Sequence, residues 1–190
     1  MAGNFFQTKQ AARQAVEAVR RSLSSQQVSE WGGEVQRHLA ASSFFSGART
    51  VALYDAQGFE VPTGQLRAAA PRVCLPRVIK GNRVLAFHLV EAADQLVAGP
   101  LGLRQPGEHL HEVALTEIDL WVVPGVAFTR DGRRLGRGGG YYDATLALAR
   151  PDSVKVGVTF ECCVVDGFPT EAHDLGVDWL ATERGMQKKQ

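Results

Sequence analysis

Apolar residues spaced three and four apart open the chain. Ala12, Val16, Val19 and Leu23 share one face and predict a helix from about Thr8 to Leu23. Ser24, with Gln27 three residues on, has the form of a capping box opening a second helix. The stripe of that helix is Val28, Trp31, Val35 and Leu39, weakened by Gly32 and Gly33, and the Ser42–Gly47 stretch ends the helical hairpin. Beyond it the period shortens. β-rich runs occupy Thr50–Tyr54, Arg72–Leu75, Arg83–Val90, Ile118–Val123, Val154–Phe160 and Asp178–Ala181. Helical or loop segments separate most of them, among them Thr63–Ala70 before Pro71 and Tyr141–Arg150 before Pro151. Strands alternating with helices predict an α/β fold in three layers, a largely parallel sheet flanked by helices, with the helical hairpin at the N-terminus. The stretch from Ala98 to Glu112 holds Gly99, Pro100, Gly102, Pro106 and Gly107 and reads as a long irregular loop, a kind that is often functional. No repeat, low-complexity tract or linker divides the chain, so residues 1–190 are expected to form one domain.

Composition narrows the setting. The chain is 45% hydrophobic and 22% charged, as in ordinary soluble globular proteins. A formal charge of +1 gives no global attraction to nucleic acid or an anionic membrane, so any anion site must be local. No run approaches the roughly 20 apolar residues that span a bilayer, and the first twenty residues hold no apolar stretch of signal-peptide length. Cys74, Cys162 and Cys163 are an odd set with two adjacent, a poor disulfide framework without zinc-ligand spacing. A reducing compartment, the cytoplasm, is therefore expected. Cys162 and Cys163 follow a strand and read as core residues rather than nucleophiles. His109 and His111 lack a carboxylate or cysteine at suitable spacing and read as surface histidines.

The chemistry concentrates in "RRLGRGGGYYDATL", Arg133–Leu146. Ile118–Val123 is an unbroken apolar run, as in a strand covered on both faces. Pro124-Gly125 ends it, and Gly136, Gly138, Gly139 and Gly140 then precede a helix. Strand, glycine loop and helix start present free backbone N–H groups to an anion, and a Cβ would keep phosphate oxygens from the main chain. Arg133, Arg134 and Arg137 add guanidinium groups suited to phosphate or carboxylate. A glycine-rich turn with solvated arginines fits the same residues. Neither G-x-x-x-x-G-K-S/T nor G-x-G-x-x-G is present, since Tyr141 stands where the last glycine of the second would be. Asp143, in the first turn of the helix, is either an acid favoured by the helix dipole or a Mg²⁺ ligand beside phosphate.

"VPGVAFTRDGRRLGRGGGYYDATL", Val123–Leu146, resembles the 5-formyltetrahydrofolate cyclo-ligase family, also called methenyltetrahydrofolate synthetases. The family pattern is approximately P-G-V/L-A/G-F-D-x-x-G-x-R-L-G-x-G-x-G-Y/F-Y-D. The likeness covers essentially the full length, through the Lys9/Arg13 pair, "FEVPT" around Glu60, Pro76-Arg77, the "QPGE" of Gln105–Glu108 and the C-terminal "HDLGVDWLAT". It implies ATP- and Mg²⁺-dependent cyclisation of 5-formyltetrahydrofolate to 5,10-methenyltetrahydrofolate, with release of ADP and phosphate through a phosphorylated N-formyl intermediate.

Carried over position by position, the resemblance implies that Lys9 and Arg13 reach the ATP phosphates; the residues alone read as an exposed basic pair. It makes Arg134, Leu135, Gly136, Arg137, Gly138, Gly139, Gly140, Tyr141 and Tyr142 the nucleotide loop. Arg134, Arg137 and Tyr141 would act in catalysis, and Tyr141 would also line the folate pocket. Glu60 would accept from the pterin N3–H and 2-amino group, with Asp55 as a second folate contact. Asp143 and Asp174 would hold Mg²⁺, although Asp174 alone reads as a turn or cap aspartate. Two positions depart from the pattern: Thr129 replaces the usual Asp, and Gly139 stands where some members carry Lys. A same-fold enzyme acting on another formylated or pterin-like compound, or a non-catalytic folate or nucleotide binder, are the alternatives. A monomer, at most a weak dimer, without nucleic-acid or membrane partners is expected.

Overall fold

The computed structural model describes residues 5–190. Helix α1 (Lys9–Arg21) starts at Thr8, whose hydroxyl accepts the Ala11 N–H at 3.1 Å and satisfies one first-turn donor. Helix α2 (Ser25–Ala40) carries the expected capping box, with Ser24 and Gln27 exchanging side-chain and main-chain bonds of 3.1 and 2.9 Å. Gly32 within α2 has a packing role. A Cβ there would lie 2.4 Å from the Pro62 ring, so bare backbone lets the following loop press against the helix. Residues 42–47 do more than end the hairpin, because they form a third helix, α3 (Ser43–Gly47), capped by the Ser42 hydroxyl.

The rest of the chain runs β1 (Val51–Ala52), α4 (Gly64–Ala69), β2 (Val73–Arg77), β3 (Ala86–Leu89), β4 (Leu96–Ala98), β5 (Arg104–Pro106) and β6 (Glu112–Val113). It continues through β7 (Leu120–Val123), β8 (Ala127–Phe128), β9 (Arg134–Leu135), α5 (Tyr141–Leu146), β10 (Val154–Val158), β11 (Trp179–Thr182) and β12 (Gly185–Lys188). The central sheet has eight strands in the order β12-β11-β10-β7-β1-β2-β3-β6. All pairings from β11 to β2 are parallel, whereas β12, β3 and β6 join antiparallel at the edges.

Alternation along the inner strands sorts the core into two faces. Val51, Val73, Leu75, Leu120, Val122, Val156 and Val158 pack with Val16, Leu39, Phe45 and Leu66 of the first four helices. Ala52, Cys74, Trp121, Val123 and Leu180 point to the opposite face and pack with Phe128 and with Leu146 of α5. Burial on both sides gives the three layers and explains why the β7 run is apolar without a break. β1 has β2 on one edge and β7 on the other, so the strand order reverses between β1 and β7. Open α/β sheets form a crevice there, outside the C-terminal strand ends.

Several local expectations are corrected. Residues 98–112 are not one irregular loop: β4 and β5 form a hairpin with Leu96 opposite Pro106 and Ala98 opposite Arg104, and β6 follows. The helix after the glycine loop stops at Leu146 rather than Arg150, so it has six residues. Cys162 is exposed while Cys74 and Cys163 are buried, so only half of the adjacent pair belongs to the core. His109 and His111 are exposed, as read from the sequence. No helix among the described residues is long and apolar enough to cross a membrane.

Candidate active site

After β7 the chain passes Pro124-Gly125 into the β8–β9 hairpin, whose turn opens at Thr129. The Thr129 hydroxyl accepts the Arg133 N–H at 3.0 Å and donates to the Asp131 carboxylate, and the residue is 1% exposed. This position shapes the turn, and an aspartate could make the same acceptor contact with Arg133. Residues 136–140 then join β9 to α5. Gly138 and Gly140 have φ of 102° and 69°, a left-handed conformation that side-chain-bearing residues seldom adopt. None of the hydrogen bonds found among the described residues is donated by the main-chain N–H of residues 136–140, so these donors are uncommitted. The shortness of α5 makes individual N–H groups, rather than a helix dipole, the main attraction for an anion.

A cavity of about 440 Å³ opens on this loop, at the crevice between β1 and β7. Every position to which the family likeness gave a ligand or catalytic role lines it: Lys9, Arg13, Asp55, Glu60, the whole 134–142 stretch, Asp143 and Asp174; Arg133, the third arginine of the glycine-rich stretch, does not. Residues 9 and 174 are brought together across most of the chain, with Lys9 Nζ 2.7 and 2.9 Å from the two Asp174 carboxylate oxygens and 3.4 Å from Glu171 Oε2. Arg13 Nε donates to the Gly136 carbonyl at 2.8 Å and ties α1 to the glycine loop.

The acids of the cavity are paired. Arg134 Nη2 meets Asp143 Oδ1 at 2.6 Å, and the same oxygen accepts the Leu175 N–H at 3.2 Å. Arg134 is 3% exposed along its side chain and lies over the Tyr142 ring, 5.6 Å from its centroid. It therefore fixes Asp143 and Tyr142 from beneath the surface. Arg137, 61% exposed, meets Glu60 at 2.7 Å, and Arg104 forks onto both Asp55 oxygens at 2.9 and 3.0 Å. Five basic residues (Lys9, Arg13, Arg104, Arg134, Arg137) thus face five acidic ones (Asp55, Glu60, Asp143, Glu171, Asp174).

Burial works to raise the Asp174 carboxyl, but hydrogen bonds from Lys9 and the Glu171 N–H outweigh it and hold it below the usual carboxylate range. Burial likewise tends to lower the Lys9 ammonium, and Asp174 and Glu171 reverse this and raise it. Burial pushes the Tyr54 and Tyr142 phenols up, so both stay neutral at physiological pH.

Several residues here carry no signal in the sequence. The Tyr54 hydroxyl donates to the Val61 carbonyl at 2.7 Å and the Thr63 hydroxyl donates to the Tyr54 carbonyl at 2.8 Å, closing the loop that presents Asp55 and Glu60. Arg104 reaches the site from the unexpected hairpin. Glu171, His173 and Asp174 put potential ligand atoms within 4.8 Å of one another, a grouping that only Asp174 had suggested. Pro76-Arg77 and Gln105–Glu108, both part of the family likeness, meet in a way the sequence did not foretell, since Arg77 donates to the Pro106 carbonyl at 2.6 Å and to Glu108, and Gln105 Oε1 accepts the Val78 N–H at 3.1 Å.

The model of the 5-formyltetrahydrofolate cyclo-ligase family matches residues 6–183. The 5-formyltetrahydrofolate cyclo-ligase of Escherichia coli K12 is 31% identical over 172 residues, covering 86% of this chain and 93% of that protein. The Haemophilus influenzae protein of the same name is 28% identical over 176 residues, covering 89% and 94%. The NMR structure of Aquifex aeolicus 5,10-methenyltetrahydrofolate synthetase superimposes with a TM-score of 0.83 at 29% identity, over 96% of this chain and 93% of that one.

Proposed function

This chain belongs to the 5-formyltetrahydrofolate cyclo-ligase family, and from that premise we propose that it converts 5-formyltetrahydrofolate to 5,10-methenyltetrahydrofolate with ATP and Mg²⁺, releasing ADP and phosphate. One observation carries the reading: a single cavity gathers the uncommitted glycine-loop amides, several basic side chains and a carboxylate suited to pterin donors. The formyl oxygen is a poor leaving group. Transfer of the γ-phosphoryl group onto it gives an imidate-like phosphate. The folate N10 then attacks the formyl carbon, and the C–O bond breaks with departure of phosphate. Such transfer asks the protein mainly for alignment and charge neutralisation.

In this reading the main-chain N–H groups of residues 136–140, with Lys9, Arg13 and Arg137, hold the polyphosphate. Arg134 positions Asp143 and adds positive potential from below. Glu60 accepts from the pterin N3–H and 2-amino group, Asp55 lies at the folate side, and Tyr141 stands between the two ligands. Asp143 and Asp174 both line the cavity and offer carboxylate oxygens of the kind Mg²⁺ takes, and Glu171 lies beside Asp174. Bound there, Mg²⁺ would supply neutralisation of phosphate charge. Thr129, which departs from the family pattern, has a structural role, since its hydroxyl builds a turn.

The deciding experiment incubates purified protein with 5-formyltetrahydrofolate, ATP and Mg²⁺. It follows the near-ultraviolet absorbance of the methenyl product together with ADP. Both should rise in step and stop when any component is omitted. ADP release independent of folate, or folate binding without turnover, would overturn the proposal.

A further inference from the structure

Four of the five lysine and arginine ion pairs that hold the cavity's acids close within one half of it. Under the functional reading above, Lys9–Asp174, Lys9–Glu171 and Arg134–Asp143 lie wholly on the nucleotide side, and Arg104–Asp55 wholly on the folate side. The fifth, Arg137 to Glu60, crosses between the halves. Among the described residues it is the only hydrogen bond joining residues 136–140 to residues 55–62. Both of its members also line a neighbouring groove of about 400 Å³, so the pair forms part of the wall between two cavities.

Its two ends are unequal. Glu60 is anchored: its Oε2 accepts the Gln57 N–H at 3.0 Å, its own N–H donates to the Gln57 carbonyl at 3.1 Å, and its side chain is 12% exposed. Arg137 is 61% exposed, sits beside left-handed Gly138, and has no other recorded side-chain partner among the described residues. On the functional reading, the exposed end held by one partner is the phosphate ligand and the anchored end is the pterin ligand. While Arg137 occupies Glu60 Oε1, the carboxylate edge that would receive two pterin donors is taken. A multiply charged phosphate is a stronger partner for guanidinium than a single carboxylate.

We propose that the Arg137–Glu60 ion pair is a latch coupling the two substrates of this site: bound polyphosphate draws Arg137 away, and the released Glu60 carboxylate then accepts the pterin N3–H and 2-amino group. The inference rests on the functional reading above. Since binding coupling is reciprocal, folate must strengthen nucleotide binding by the same factor as nucleotide strengthens folate binding.

The test measures the Kd for 5-formyltetrahydrofolate with and without a non-hydrolysable ATP analogue and Mg²⁺, at analogue concentrations saturating for each variant. The wild-type chain should bind folate about three- to fivefold more tightly with the analogue, the scale of a partly exposed ion pair removed from competition. Arg137→Ala should bind folate more tightly than wild type without the analogue, by a similar factor, and gain nothing further when it is added. Arg137→Lys, which keeps the charge but not the fork, should restore part of the dependence. Independent binding in the wild type, or undiminished enhancement in Arg137→Ala, would overturn the latch while leaving the proposed reaction standing. Failure of the wild type to bind nucleotide or folate would remove both.

Discussion

Asp143 does two jobs that a single substitution can separate. Its Oδ1 compensates the buried Arg134 guanidinium and accepts the Leu175 N–H, while no hydrogen bond among the described residues uses its Oδ2. Asp143→Ala strands a buried cation and should lower stability by about 3 kcal/mol, as when one partner of a buried pair is removed. The same change should lower turnover by at least roughly 100-fold, the scale of losing one group that stabilises transferring charge. Asp143→Asn keeps an acceptor for both protein donors. It should recover much of the stability and little of the rate. Denaturant titration beside steady-state turnover checks this, and parallel recovery of both would assign Asp143 a structural role alone. At this scale the sequence is informative about residue type and silent about pairing. Arg134 stands out as a basic residue beside glycines, but nothing in the spacing says that it is buried and directed at Asp143 rather than at a ligand.

Asp119 joins elements rather than ligands. Its Oδ2 accepts the N–H groups of Arg49 and Thr50 at 2.8 Å each, just before β1, and its Oδ1 meets Arg150 beyond α5. Burial works to raise this carboxyl, yet the Thr50 and Arg49 N–H bonds and the Arg150 guanidinium outweigh it and hold it below the usual range. A depressed carboxyl stabilises the fold above its unfolded pKa of about 3.9, and the contribution fades as pH falls through the lower folded value. Asp119→Asn should therefore cost about 1–3 kcal/mol at neutral pH. The gap from wild type should begin to narrow as pH falls below the unfolded value of about 3.9 and vanish once pH is below the depressed folded value, read from denaturation midpoints across pH. A gap that stayed constant into acid would show that the carboxylate charge is not what ties these elements. Elements with a full period were legible: α2, with 16 residues and its cap, and β7, with no polar interruption. The β4–β5 and β8–β9 pairs were not, because strands of two or three residues are too short to show alternation.

Across the whole molecule the cavity is a product of topology. The strand order turns at β1 and β7, and that reversal draws α1, the glycine loop and residues 171–174 to one rim. Sequence reasoning alone cannot place Lys9 beside Asp174, because their contact depends on how the sheet is wound; the family likeness supplied the pairing of roles, not of atoms. A ligand that binds only the assembled cavity must stabilise it. A non-hydrolysable ATP analogue with Mg²⁺ at a hundredfold excess over its Kd adds about 2.7 kcal/mol. That should raise Tm by roughly 5–10 °C for a chain of this length. Calorimetry should also show the shift shrinking when the metal is chelated; an unmoved Tm would show that the folded chain does not bind the nucleotide. The even match of basic and acidic side chains around the cavity has a further effect. Opposite charges a few ångströms apart behave as multipoles whose potential dies away faster than that of an isolated charge, and little survives one Debye length, ~8 Å at physiological salt. An anion thus meets no guiding field on approach and is recognised only on touching the rim, so added salt should change how long it stays far more than how often it arrives.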